Sequence, residues 1–353
     1  MAEGSLTPRP AVVAMAPYSP PTGGRAGKLR LDFNENTVGC SPAVVAAITQ
    51  ALTQEQLTVY PEYEATRSAL SAFFGVPQDQ FLLTNGTDEA IQVLINTFVD
   101  DGQEAIVLTP SYAMYRFYAE VAAAKVIDLP YRAETLEFPL EELLASITPA
   151  TRAILISNPN NPTGVGIGLA EIERILAAAP SAAVLIAEAY FEFCGVTALP
   201  LLARYSNLFV SRTFSKAYGL AGLRIGCLFS NASNVKYLHK AQSPYSVNTL
   251  AAIAARAAVG DQTYVTNFVR EANLARELLY QGFDARGIAY YRSQGNFVLF
   301  RAGERSIAIR DALRAQGVLV RDRSYEIAGC VRVTAGTPAQ VERFFAALDE
   351  VRA

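Results

Sequence analysis

The chain has 353 residues, 51% of them hydrophobic, with 30 Lys and Arg against 33 Asp and Glu and a formal net charge of -3. That is enough apolar material for a large core and more than one domain, while interspersed charges of both signs exclude nucleic acid and anionic membrane as partners. The cysteines at 40, 194, 227 and 330 form no C-x-x-C, and the lone His239 cannot build a histidine-rich cluster, so no metal is expected and reduced thiols in a cytoplasm fit.

In chain order, residues 1–30 are rich in Pro, Gly and small polar residues and predict an arm lying over a surface, with Tyr18 its notable aromatic. The run A-V-V-A-M-A (Ala11 to Ala16) follows Glu3 and is cut by Pro17, unlike a signal peptide. No apolar run approaches the length of a membrane-crossing helix. From Leu29 the text L-R-L-D-F-N-E-N predicts a short strand running into a turn, and Ser41-Pro42 opens a helix to about Leu52. V-Y-P-E-Y (Val59 to Tyr63) is a proline-fixed turn displaying two tyrosines, followed by an amphipathic helix through Phe74. Next, F-L-L-T and N-G-T-D-E-A predict a strand, a glycine turn and a helix whose first turn holds Thr87, Asp88 and Glu89. Such a start offers free amides to an anion, as any capped helix does.

Between Ala105 and Ser157 short apolar strands alternate with helices, an order that predicts a mainly parallel sheet covered on both faces. The last of these strands enters N-P-N-N-P-T-G (Asn158 to Gly164), a rigid polar loop at the edge where such sheets bind ligands. A-V-L-I-A (Ala183 to Ala187) then leads to E-A-Y-F-E-F, placing Tyr190 near the same edge. In S-R-T-F-S-K-A-Y-G-L-A-G-L-R (Ser211 to Arg224), Lys216 sits on a tight connection between two buried strands. Partial desolvation there favours a neutral amine able to form a Schiff base with an aldehyde, and Thr213, Ser215 and Arg224 suit a phosphate. A solvated loop lysine beside a structural arginine is the plainer alternative. Residues from about Asn231 to Arg286 predict helices, one long enough to bridge a large and a smaller domain. The remainder reads as a small α+β domain with Arg321, Arg323 and Arg332 clustered near strand ends.

Taken together, N-E-N (Asn34 to Asn36), V-Y-P-E-Y, N-G-T-D-E-A, P-S-Y-A-M-Y, S-N-P-N-N-P-T-G, E-A-Y-F-E-F, S-R-T-F-S-K-A-Y-G-L-A-G-L-R-I-G and V-R-V-T-A-G-T stand in one order along nearly the whole chain. In that order they resemble the fold-type I pyridoxal phosphate enzymes, the class I/II aminotransferases, and most closely their histidinol-phosphate aminotransferase branch. The resemblance implies an α/β fold: a mostly parallel seven-stranded sheet sandwiched by helices, plus a small α+β domain. Its expected boundaries are an arm at 1–30, a large cofactor-binding domain at 31–260, whose first part also joins the small domain, and a small domain at 261–353. It implies pyridoxal 5'-phosphate as cofactor, with Lys216 as its covalent anchor and general base. Thr213, Ser215, Arg224 and the amides of Thr87 and Asp88 would hold the phosphate, joined by Tyr60 from a neighbouring subunit. Tyr112 would stack on the ring, and Asn161 and Tyr190 would bond its phenolic oxygen. Arg332 would grip the anionic group of the substrate, with Tyr18, Asn34 and Arg321, ahead of Arg323, completing the pocket. A cytoplasmic homodimer with shared sites follows, using an amino donor and a 2-oxo acid.

The expected reaction is transamination of histidinol phosphate with 2-oxoglutarate, in histidine biosynthesis. Aromatic amino acids as donors, decarboxylation of a phosphorylated amino acid, and a non-catalytic cofactor-binding module are the alternatives. Two departures from the family pattern stand out. Thr37-Val38 replaces a frequent proline and aromatic, and Ala187 stands where the family has the aspartate that faces the pyridine nitrogen. Glu188 is adjacent, but neighbouring strand residues point to opposite faces, so it is not expected to take over.

Overall fold

The computed structural model describes residues 6–17 and 23–352; Tyr18 therefore lies outside the described residues. A seven-stranded sheet runs in the order Phe81–Thr84, Gly226–Phe229, Leu208–Thr213, Ala183–Ala187, Thr151–Ser157, Glu104–Thr109, Lys125–Pro130. All neighbours from Leu208–Thr213 onward pair in parallel, and Gly226–Phe229 is antiparallel to both its partners. The central strands are short unbroken apolar runs because both faces are covered. Val184, Ile186, Leu208 and Val210 join one core with Leu70, Ile172 and Ile175. The alternate residues Ala183, Leu185, Ala187 and Phe209 join another with Ala90, Leu94 and Leu238. The fold is thus the expected α/β sandwich.

Parallel strands require crossovers, and each crossover here delivers a loop to the carboxyl edge of the sheet. After Thr109 come Ser111 and Tyr112, after Ser157 the asparagine loop, after Ala187 the Tyr190 turn, and after Thr213 Lys216. Phe81–Thr84 points the same way as the parallel strands, and on leaving the sheet at that edge its chain turns at Gly86 into the helix Gly86–Phe98.

A further core gathers Leu29 and Leu31 with Leu279, Phe283, Val298, Phe300, Leu313, Val331 and Phe344. Its sheet is antiparallel, in the order Arg321–Asp322, Cys330–Thr334, Phe297–Arg301, Tyr290–Tyr291, and a separate parallel pair joins Leu29–Arg30 to Val318–Leu319. The helix Gln262–Asp284 serves both bodies: Val265 and Phe268 pack in the sheet core, Ala275, Leu279 and Phe283 in the smaller one. Residues read as an unpacked arm contain the five-residue helix Pro10–Ala14, with proline in its first turn and no buried residue. Pro10 pre-sets the helical φ and has no amide to satisfy, so a short turn forms without core contacts.

Candidate functional site

Lys216 follows the strand Leu208–Thr213 by three residues, and its Nζ donates to the Phe33 carbonyl at 2.8 Å. Burial, then the Arg332 charge, brings its ammonium down to about 8; Glu35 opposes the shift, Arg224 adds a smaller push downward and Asp88 a smaller one upward. A lysine so placed carries a far larger neutral fraction near neutral pH than an ordinary lysine, and a nucleophilic amine needs that fraction.

On one side of it is a cradle for an anion. The helix Gly86–Phe98 leaves its first amides, those of Thr87 and Asp88 included, without helical partners. Thr213 and Ser215 are buried nearby, the Thr213 hydroxyl accepting from the Ser215 amide at 3.1 Å. Arg224 adopts a left-handed backbone with φ 54°, and its Nη2 lies 3.1 Å from Asp88, which also accepts from the Tyr112 hydroxyl at 2.6 Å. Gly86 is required: at φ +71° a Cβ would stand 2.5 Å from the Arg224 guanidinium. Its absence lets Arg224 lie against the helix start.

On the other side three buried arginines meet. Arg321 and Arg332 are Cα partners on adjacent strands, and Arg323 follows. Burial, followed by the Arg323 charge, takes Arg332 down to about 10. Arg332 donates to Asn161 Oδ1 and, at 2.6 Å, to the Asp32 carbonyl. Arg323 is paired with Glu326 and donates to the Tyr325 hydroxyl. Arg321, only 9% exposed, lies 5.5 Å above the Phe33 ring and has no carboxylate or hydrogen-bond partner among the described residues. Three guanidiniums against one local carboxylate leave a surplus of positive charge that a bound anion would neutralise.

Of the three asparagines in the loop, two brace it. Asn158 exchanges hydrogen bonds with the Ile167 backbone, and Asn160 joins Pro110, Ser111 and Thr163. Only Asn161 reaches Arg332. Tyr190 is buried and its hydroxyl accepts from Asn34 Nδ2 at 3.0 Å; burial raises it, so it stays a neutral phenol. Asn34, expected at the substrate, instead has its side chain committed to Tyr190 and Thr334.

Ala187 presents a methyl group on the sheet face shared with the helix Gly86–Phe98. Ser211 is its register partner, and the Ser211 hydroxyl is buried with no hydrogen-bond partner among the described residues. Glu188 turns to the opposite face, where it accepts from Arg212 at 2.7 Å, Thr197 at 2.8 Å and the Ala198 amide at 2.6 Å. It is fully used there and offers nothing to the face of Ala187.

Tyr60 is 74% exposed and stacks on Tyr245 at 4.5 Å, not on the residues around Lys216. Within one chain, then, Lys216, Asn34, Asn161, Tyr190 and Arg332 converge through hydrogen bonds or charge coupling, Asp88, Tyr112 and Arg224 form a linked group, and Tyr60 stands on the surface. A family model, aminotransferase class I and II, matches residues 26–348. The chain belongs to that family. This aminotransferase is 35% identical to histidinol-phosphate aminotransferase 2 of Methylococcus capsulatus over 97% of each chain. It is 36% identical to the histidinol-phosphate aminotransferase of Symbiobacterium thermophilum, over 91% of this chain and 89% of that one. The structure of histidinol-phosphate aminotransferase from Sinorhizobium meliloti in complex with pyridoxal-5'-phosphate is similar at a TM-score of 0.87 and 25% identity, covering 99% of this chain and 98% of that one.

Several groups in the aminotransferase site had no signal in the sequence. Phe33 receives Lys216 through its carbonyl and supports the Arg321 and Arg25 guanidiniums on its ring. Asp32 meets Arg332 through its carbonyl while its carboxylate accepts from Arg25. Backbone carbonyls carry no residue-type signature, so no motif could have marked them.

Proposed function

We propose that this chain is a pyridoxal phosphate-dependent aminotransferase that takes histidinol phosphate as amino donor and 2-oxoglutarate as acceptor. The observation that carries the substrate is Arg321, a buried guanidinium beside Arg332 that forms no ion pair among the described residues. A phosphomonoester supplies the missing negative charge, which a neutral aromatic side chain does not. The names of the relatives support the same reading.

The residues fit the cofactor at two of its ends. Thr213, Ser215, Arg224 and the amides of Thr87 and Asp88 would hold its phosphate, Tyr112 would lie against the ring, and Asn161 and Tyr190 would bond its phenolic oxygen. Bound there, the cofactor supplies an electrophilic aldehyde and an electron-withdrawing ring. Lys216 supplies the amine that attaches it and the base that moves the substrate proton, and its lowered basicity suits both tasks. At position 187 the fit is missing: a methyl and an orphaned Ser211 hydroxyl stand where an acid would face the ring nitrogen.

Tyr60 of the partner subunit would complete the phosphate site in a homodimer. The exposed apolar side chains Leu52, Leu57, Val59, Tyr60 and Tyr245 support burial of that face between two copies. No helix of the described residues is long and apolar enough to cross a membrane, and four unpaired cysteines support a reducing cytoplasm.

The test is a half-reaction screen. Protein loaded with pyridoxal phosphate is mixed with histidinol phosphate, phenylalanine, tyrosine or phosphothreonine while the visible cofactor band is followed. Histidinol phosphate is expected to bleach it at least about tenfold faster than the aromatic amino acids, the discrimination that one charged hydrogen bond provides. Preference for an aromatic donor, or carbon dioxide release from phosphothreonine, overturns the assignment. Lys216→Ala is expected to lose the band and its borohydride-fixed adduct.

A further inference from the structure

Asn34 ties the smaller body to the Tyr190 hydroxyl by a hydrogen bond, while Phe297 packs on the Tyr190 ring. The Asn34 backbone is left-handed, φ 55°, a conformation asparagine tolerates better than most residues. The conformation is held from the smaller body: the Asn34 amide donates to the Thr334 hydroxyl at 3.1 Å, and the Asn34 carbonyl accepts from Asn296 Nδ2 at 3.2 Å. The Thr334 hydroxyl proton goes to Asn34 Oδ1 at 3.1 Å. That leaves Asn34 Nδ2 to face Tyr190, 3.0 Å from its hydroxyl oxygen. Asn34, Thr334, Asn296 and Tyr190 are all at least nine-tenths buried, so water does not substitute for any of them.

The direction of this chain matters. An N–H that donates into the Tyr190 oxygen occupies an acceptor site and cannot receive the phenolic proton. Among the described residues nothing else accepts that proton, so it remains available to an oxygen entering the pocket. We propose that Asn34 is a positioning residue that sets Tyr190 as an obligate donor, and that the smaller body, through Thr334 and Asn296, thereby controls the polarity of the cofactor's phenolic oxygen. Thr334 lies two residues after Arg332 on the strand Cys330–Thr334, so an anion drawn to Arg332 loads the same strand that orients Asn34. This inference rests on the cofactor reading above.

Asn34→Asp is the decisive variant. It keeps the size and the left-handed tolerance but replaces the donor by a carboxylate, which takes the Tyr190 proton for itself. Asn34→Gly removes the side chain while relieving the backbone. The readout is the pH titration of the visible band of pyridoxal phosphate-loaded protein, with cofactor retention and thermal melting followed in parallel. A donor to the phenolic oxygen stabilises its negative charge and weakens its hold on a nearby proton, so losing that donor raises the midpoint. Tyr190→Phe and Asn34→Asp are each expected to raise it by about one pH unit, the equivalent of one hydrogen bond to a charged oxygen. Asn34→Gly is expected to move it in the same direction by less. The double variant Asn34→Gly/Tyr190→Phe is expected to match Tyr190→Phe alone, because the Asn34 side chain acts only through Tyr190. A folded, loaded Asn34→Asp or Asn34→Gly protein titrating like the parent overturns the inference, as do additive shifts in the double variant. A parent protein with no Lys216-dependent band overturns the cofactor reading itself, a result that no Asn34 variant can produce.

Discussion

The consequences are sharpest at single residues. Position 187 holds a methyl beside an unsatisfied Ser211 hydroxyl, and Glu188 is bound to Arg212, Thr197 and Ala198 on the far face. An aspartate at 187 would gain the Ser211 hydroxyl as donor and present a carboxylate to a ring nitrogen. Ala187→Asp should therefore raise the half-reaction rate with the best amine by at least about tenfold, 1.4 kcal/mol of barrier, and change cofactor affinity less. Stopped-flow bleaching of the visible band measures it, and an equal or slower rate in a folded, loaded variant would show that position 187 does not serve the ring nitrogen. Arg321 yields a second prediction. Arg321→Met keeps the apolar stem and removes a buried charge that forms no ion pair among the described residues. Thermal melting should not fall, since an uncompensated charge beside Arg332 is relieved. In contrast, kcat/KM for histidinol phosphate should drop roughly 10- to 100-fold, the worth of a charged hydrogen bond. A fall in melting temperature with unchanged kinetics would make Arg321 a structural residue.

Among the elements, the helix Gly86–Phe98 shows how local sequence and packing divide the task. Its N-terminal amides follow from the helix itself, but their use depends on Gly86 admitting Arg224. Gly86→Ala places a Cβ in a left-handed backbone and 2.5 Å from the Arg224 guanidinium. The backbone strain alone costs about 1 kcal/mol or more. Gly75→Ala is the matched control: its φ is +66° at a helix C-cap, with nothing within 4 Å of the added Cβ. Both variants should lose stability in denaturant melts, while only Gly86→Ala should release pyridoxal phosphate, by about tenfold or more in Kd, as one charge-assisted phosphate contact is displaced. Equal cofactor affinities for the two would remove Arg224 from the cradle. The asparagine loop makes the same point: Asn158 and Asn160 shape it, so that Asn161 alone faces Arg332.

For the whole molecule, the exposed stack of Tyr60 on Tyr245 and the neighbouring apolar side chains predict a dimer in which each site borrows Tyr60 of the partner subunit. Mixing Tyr60→Phe chains with Lys216→Ala chains should restore activity, because a hybrid dimer holds one site with both Lys216 and Tyr60 intact. The ceiling is one working site per hybrid. Subunit exchange verified by native mass spectrometry, with no recovered activity, would mean that each site is built from one chain.

What the sequence determined by itself is what neighbouring residues decide. Unbroken apolar runs such as A-V-L-I-A made buried parallel strands, Ser41 and Pro42 opened a helix, and the loops after those strands fell on one sheet edge with Lys216 among them. Strand alternation was also enough to turn Glu188 away from Ala187. The five-residue helix at Pro10–Ala14 escaped because its stretch is rich in turn formers and it buries nothing. The role of Asn34 at Tyr190 escaped for a different reason. Asn34 meets Tyr190 across 156 positions and Thr334 across 300, and Arg321, already expected at the substrate, is set apart from Arg323 only because no carboxylate among the described residues forms an ion pair with it. A residue's type states which hydrogen bonds and charges it can offer. Which of them are already taken is settled only when distant strands pack and the last buried donors find, or fail to find, their partners.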